Sequence, residues 1–110
     1  MKLNEVVNHT NLQVLAGAAF MDHEVTGGYV ADLLSCVMAG AKQGDLWVTL
    51  QTHANIVAVA SLLGVSGIVV AESAPVPAET LAKAEQQKVV ILSSQEPVYE
   101  TVSQLVALGI

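Results

Sequence analysis

The sequence predicts an α/β domain built on a mostly parallel sheet covered by helices, and three observations carry that reading. The stretch Leu46–Ala71 contains no Asp, Glu, Lys or Arg and reads LWVTL, QTHAN, IVAVASLLG, then GIVVA. That is a strand-length run, a polar turn, a helix apolar nearly all round, and a second strand-length run. The segments Leu46–Leu50, Ile68–Ala71 and Val89–Leu92 are continuous apolar runs rather than alternating ones, as strands buried on both faces of a parallel sheet are. Helix-length segments with short loops separate them, as crossover connections require.

The elements follow in order. Lys2–His9 is predicted as a short helix, because Leu3, Val6 and Val7 share a face at helical spacing. Leu12–Ala16 reads as a short strand and Gly17–His23 as a loop. Thr26, Gly27 and Gly28 read as a tight turn into Tyr29–Ala31, a second short β segment expected to pair with the first. Asp32 is placed to cap a helix carrying Leu33, Leu34, Val37, Met38 and Ala41 and stopping near Gly44. After the strand Leu46–Leu50, Thr52 or His53 opens a helix to Leu63, and Gly64 ends it in the left-handed conformation glycine tolerates. Pro75 and Pro77 introduce a helix at Ala78–Gln87. After the strand Val89–Leu92, Ser94 is expected to cap a last helix with an apolar stripe of Val98, Val102 and Leu105.

Composition bounds the function. The 110 residues suit a single domain spanning 1–110, with 53% hydrophobic residues and a mean hydropathy of +0.55. So much apolar side chain in so small a chain leaves some on the surface, which points to self-association. The expected face is the outer side of the Ile56–Leu63 helix or the Leu33–Met38 helix. The net charge is −6, with four lysines and no arginine. A chain without a basic face is no partner for nucleic acid. The lone Cys36 reads as a small buried thiol, and Trp47 as core or interface. Gly64, Ser66 and Gly67 interrupt the uncharged run, so no membrane span is expected. MKLNEVVNHTN lacks the apolar stretch of a signal peptide, so a cytoplasmic location is expected.

Parallel sheets bind ligands beyond the carboxyl ends of their strands. Thr49, Thr52, His53, Asn55, Glu72 and Ser94 fall there and form the candidate ligand site, with Thr26, Gly27 and Gly28 as a second candidate. The plain alternative is that these residues cap helices. His53 has no metal-ligating spacing to His9 or His23, so neither a metal nor a cofactor is expected. A triad of Ser73 or Ser94 with His53 and Glu72 lacks a nucleophile-elbow sequence. The glycines match neither a phosphate loop nor a dinucleotide fingerprint.

The stretch EVTGGYVADLLSCVMAGAKQGDLWVTLQTHANIVAVASLLGVSGIVV resembles the DRTGG-domain family, named for an Asp-Arg-Thr-Gly-Gly motif. Glu24, Val25, Thr26, Gly27 and Gly28 occupy the motif positions, followed by YVADLLS. The resemblance runs from about Leu12 to Ile110, and GDLWVTLQTHANIVAVA is its most specific part. The motif's first two residues are changed, and Val25 removes any cationic contact there. Related domains lie beside CBS pairs in regulated pyrophosphatases and within phosphotransacetylases. A similar fold forms the non-catalytic N-terminal part of HPr kinase/phosphorylase. The resemblance implies a regulatory or dimerising module without activity of its own.

The sequence therefore leads to a non-enzymatic regulatory homodimer, with a partner enzyme as one target of regulation. The rivals are a sensor of a nucleotide or other metabolite at the strand ends and, behind it, an enzyme using His53. Phosphoryl transfer needs a cationic amide cradle and a metal-holding carboxylate. Since the chain has no glycine-lysine loop, the pure protein is expected to release no phosphate from ATP. Dose-dependent release abolished by a point substitution would overturn that.

Overall fold

The computed structural model describes all 110 residues. Five strands form one sheet: β1 (Gln13–Ala16), β2 (Gly27–Val30), β3 (Asp45–Thr49), β4 (Gly67–Val70) and β5 (Ile91–Ser93). Their order is β1-β5-β4-β3-β2, with β1 antiparallel to β5 and every other pair parallel. Five α-helices cover the sheet: α1 (Leu3–Asn8), α2 (Leu34–Gly40), α3 (Asn55–Leu63), α4 (Ala78–Gln87) and α5 (Val98–Ala107). The predicted α/β class is what the structure has.

Alternation along the strands divides the interior in two. Trp47, Ile68, Val70 and Ile91 face one core with Val37 of α2, Ile56, Val57 and Ala60 of α3, and Ala84 of α4. Leu46, Val48, Val69, Val90 and Leu92 face the other, with Leu3 and Val6 of α1 and Leu105 of α5. Every residue of β3 and β4 is buried, which is why those runs carry no polar face. Three helices thus cover one side and two the other, and α1 is only six residues long.

Four expectations are corrected. The two N-terminal β segments do not pair: β1 joins β5 and β2 joins β3, on opposite edges of the sheet. Gly27 and Gly28 are not a turn but the first half of β2, paired with Asp45 and Leu46. Cys36 is exposed rather than buried, because Val37 is the residue α2 turns inward. The expected surplus on α3 is largely absent. Ile56, Val57, Val59 and Ala60 are already buried within the chain, leaving Leu62 as the large apolar side chain of its exposed strip, 71% accessible.

The caps differ as well. Asp32 does not cap α2; its Oδ1 accepts from Thr49 Oγ1 at 2.9 Å and from the Leu50 amide at 2.7 Å, tying the end of β3 to the loop after β2. Pro97 rather than Ser94 stands at the N-cap of α5. Gly64 caps α3 at φ 70°, as expected. Gly17, at φ 80°, carries the chain past β5, where a Cβ would lie 2.7 Å from the Val89 carbonyl oxygen. Its amide donates to Glu85 of α4.

Trp47 is fully buried and its indole Nε1–H donates to the Ala31 carbonyl at 2.8 Å. Trp47→Ala is expected to cost about 3–5 kcal/mol in chemical denaturation. Trp47→Phe keeps most of the apolar contact but leaves that carbonyl unpaired, for about 1–3 kcal/mol.

Candidate functional site

The structure spreads the sequence-predicted residues over both ends of the sheet. At the carboxyl ends of the strands, Thr49 is 1% accessible. Its hydroxyl donates to Asp32 and accepts from the Gln51 amide at 3.1 Å. The Thr52 carbonyl accepts from Thr80 Oγ1 at 2.8 Å, docking α4 on the loop before α3. His53 Nδ1 accepts from the Asn55 amide at 3.0 Å. An amide can only donate, so this bond requires a ring with its proton on Nε2. His53 therefore satisfies a free amide in the first turn of α3, where serine or aspartate usually does so. Ser94 is buried, with its Oγ 2.7 Å from Thr101 Oγ1 and accepting from the Glu96 amide at 3.1 Å.

Glu72 and Ser73 sit at φ 61° and 51°. The Ala74 amide donates to the Ala71 carbonyl at 3.2 Å, so the four residues make a tight turn with both central residues left-handed, the arrangement that favours Asn-Gly. Left-handed backbone costs a non-glycine residue roughly 1–2 kcal/mol. The outward amides are used: Glu72 N donates to Glu96 O at 2.9 Å and Ser73 N to Ser94 O at 2.8 Å. The loops after β4 and β5 are thereby stapled together. No concavity is lined by Thr49, Thr52, His53, Asn55 or Glu72. Ser94 borders a hollow of about 290 Å³ beside Asn11, Gln13 and Gln104.

Thr26, Gly27 and Gly28 lie at the other end and along the β2 edge. The Thr26 amide donates to Gly44 O at 2.9 Å and its hydroxyl to Gln43 O at 3.4 Å. Gly44 is at φ 86°, and a Cβ there would strike the Thr26 hydroxyl. A Cβ on Gly27 would lie 2.8 Å from Asp45 Oδ1, whose other oxygen accepts from the Lys42 amide at 2.8 Å. Threonine and the first glycine thus clamp the turn that launches β3. Val25, where the family motif has arginine, is buried in the core beneath α1 and α5.

Two further concave regions were not anticipated as such, though each is bordered by a residue of the second candidate, Thr26 in one and Gly28 in the other. A cleft of about 530 Å³ opens at the amino ends of the strands, bordered by Thr26, Gln43, Ser61 and Lys88 among others. An apolar groove runs between β2 and α5 as two adjoining hollows of about 120 and 450 Å³, sharing Val30, Val102 and Val106. No side chain lining the groove is charged. The cleft is assembled from segments far apart in the chain. The groove was signalled only as a surplus of apolar residues.

No protein-family model matches the sequence, and no curated protein is similar to it. The fold is similar to a solved structure of the CBS and DRTGG domains from the regulatory region of a Clostridium perfringens pyrophosphatase, complexed with its activator diadenosine tetraphosphate. The TM-score is 0.75 at 14% identity, over 96% of this chain and 46% of that one. The chain therefore spans less than half of the structure it matches, and the likeness is one of fold, which is DRTGG-like. No helix is long and apolar enough to cross a membrane.

The capping geometry makes His53 testable. His53→Ala is expected to lower stability by about 0.5–2 kcal/mol, and His53→Asn, which can accept the same amide, to restore most of it. Equal losses in both variants by urea denaturation would remove the cap as the role of this side chain.

Proposed function

We propose that the chain is a non-enzymatic regulatory or dimerising module of the DRTGG type, and that it pairs with a second copy of itself across β2 and α5. The observation that carries this is the uncharged groove beside an unpaired strand edge. β2 is the last strand of the sheet, and the side chains around it are open: Val30 is 48%, Val106 61% and Tyr99 83% accessible. Only two helices cover this side of the sheet, and β2 is left partly open beside α5.

Natural sheets protect edges with charges, prolines or bulges. At the opposite edge, β1 has a register irregularity between Val14 and Ala16. β2 has none of these devices. Two copies related by a two-fold axis would set β2 antiparallel to itself, the self-complementary contact that closes a dimer. The absence of charged side chains matters in a chain of net charge −6, since two copies can approach here without bringing like-charged side chains together.

The regulatory half of the reading is supported by the DRTGG-like fold, seen in a structure described as a pyrophosphatase regulatory region. Regulation of a partner enzyme fits that architecture. Catalysis by His53 finds little support, since one ring nitrogen serves α3 and no cavity adjoins it.

In sedimentation velocity the protein is expected to run as a dimer at micromolar concentration. Val106→Asp, which places an unpaired carboxylate in the groove, should give a folded monomer, whereas Leu62→Asp on α3 should leave the dimer intact. A monomeric parent protein would refute the proposal, as would a dimer lost on changing Leu62 and kept on changing Val106.

A further inference from the structure

We propose that the cleft at the amino ends of the strands binds a small polar metabolite bearing one anionic group, phosphate or carboxylate, with Lys88 as its principal contact. The cleft holds about 530 Å³, within the range of about 300–1,000 Å³ usual for small-molecule sites. It lies at the opposite end of the sheet from the strand-end cluster around His53 and apart from the apolar groove.

Lys88 is one of only four basic side chains. It ends α4 in the left-handed conformation, at φ 60°, a position where glycine is strongly preferred. A lysine held there costs stability. It makes no ion pair: the one salt bridge in the chain joins Glu24 to the Met1 ammonium at 3.2 Å. That same pair compensates the only carboxylate bordering the cleft, so Lys88 is left as its uncompensated charge.

Part of the terminal carbonyl set of the nearby helix ends is occupied by amides of the chain. Ala60 O accepts from the Gly64 and Val65 amides at 3.0 and 3.3 Å, and Ala84 O from the Val89 amide at 2.9 Å. His23, also on the cleft, has Nδ1 3.3 Å from the Ser66 carbonyl, so that nitrogen carries the proton and Nε2 remains free of the protein. The side chains of Gln43, Ser61 and Gln87 border the same space and can hydrogen-bond a polar body beyond the anionic group. Donors and acceptors together with a single cation suit one anionic group on a hydroxylated or amidated frame. A polyphosphate, with several charges for one lysine, is disfavoured.

The test uses amide chemical shifts of the full chain titrated with ribose 5-phosphate, gluconate, ribose and inorganic phosphate, in the parent protein and in Lys88→Gly. Ribose 5-phosphate or gluconate is expected to shift the Gly44, Gly64 and Lys88 amides saturably at millimolar concentration, and whichever does so identifies the head group. Ribose should not. Lys88→Gly should melt higher than the parent, because glycine relieves the left-handed backbone, and should bind at least about tenfold more weakly. The proposal is overturned if neither anion shifts these amides, or if ribose or inorganic phosphate alone does as well. It is also overturned if Lys88→Gly binds as tightly as the parent or is less stable than it.

Discussion

Burial of the central strands on both faces is the constraint on which the remaining structure depends. With β3 and β4 wholly inside, helices must cover both sides, and polar atoms are expelled to the strand ends. Those ends then have to satisfy their own backbone. Asp32, Thr49, His53, Ser94 and Thr101 do so through short internal hydrogen bonds. A polar edge that resembles a ligand site in the sequence is largely occupied in holding the loops of a very apolar sheet. The same constraint explains the uneven outside: three helices complete one layer, two leave the other short, and the deficit falls over β2.

Much of the fold was legible because two-sided burial writes itself as uninterrupted apolar runs. β3, β4 and β5 differ from the expected strands by only a residue or two at their ends, and α4 coincides with its prediction. What was not legible was strand order. Short segments such as QVLA and GGYV carry no mark of which neighbour they choose, and nearness in the chain suggested a pairing that the sheet does not contain. Caps failed for a related reason. Asp32 and Ser94 have the right chemistry for helix N-termini, but each finds another partner, Asp32 in Thr49 at the end of the neighbouring strand and Ser94 in Thr101 inside α5.

The site was less legible than the fold. Thr26 and Gly27 stood out as a motif, and the structure gives them definite tasks around Gly44 and Asp45. His53 stood out as a lone histidine and serves as a cap acceptor. Conversely, His23, Gln43 and Lys88 are unremarkable where they stand in the sequence. They gain meaning only when three loops converge at one end of the sheet. The left-handed backbone of Lys88 was also hidden, because the sequence marks such positions by glycine and here glycine is missing.

The attachment of β1 to β5 carries a consequence for how the chain acquires its structure. Val14 pairs with Leu92, and Gly17 threads against Val89 and Glu85, so the first strand depends on the last. During synthesis, β2, β3 and β4 can assemble as each emerges, but β1 has no neighbour until nearly the whole chain is made. Contacts of such long sequence separation close late and slow the search for the native state. Until then the flank of β4 stands open, and an apolar strand with an open flank is where chains misassociate. The molecule that leaves one edge available when finished has a second one to guard while it forms.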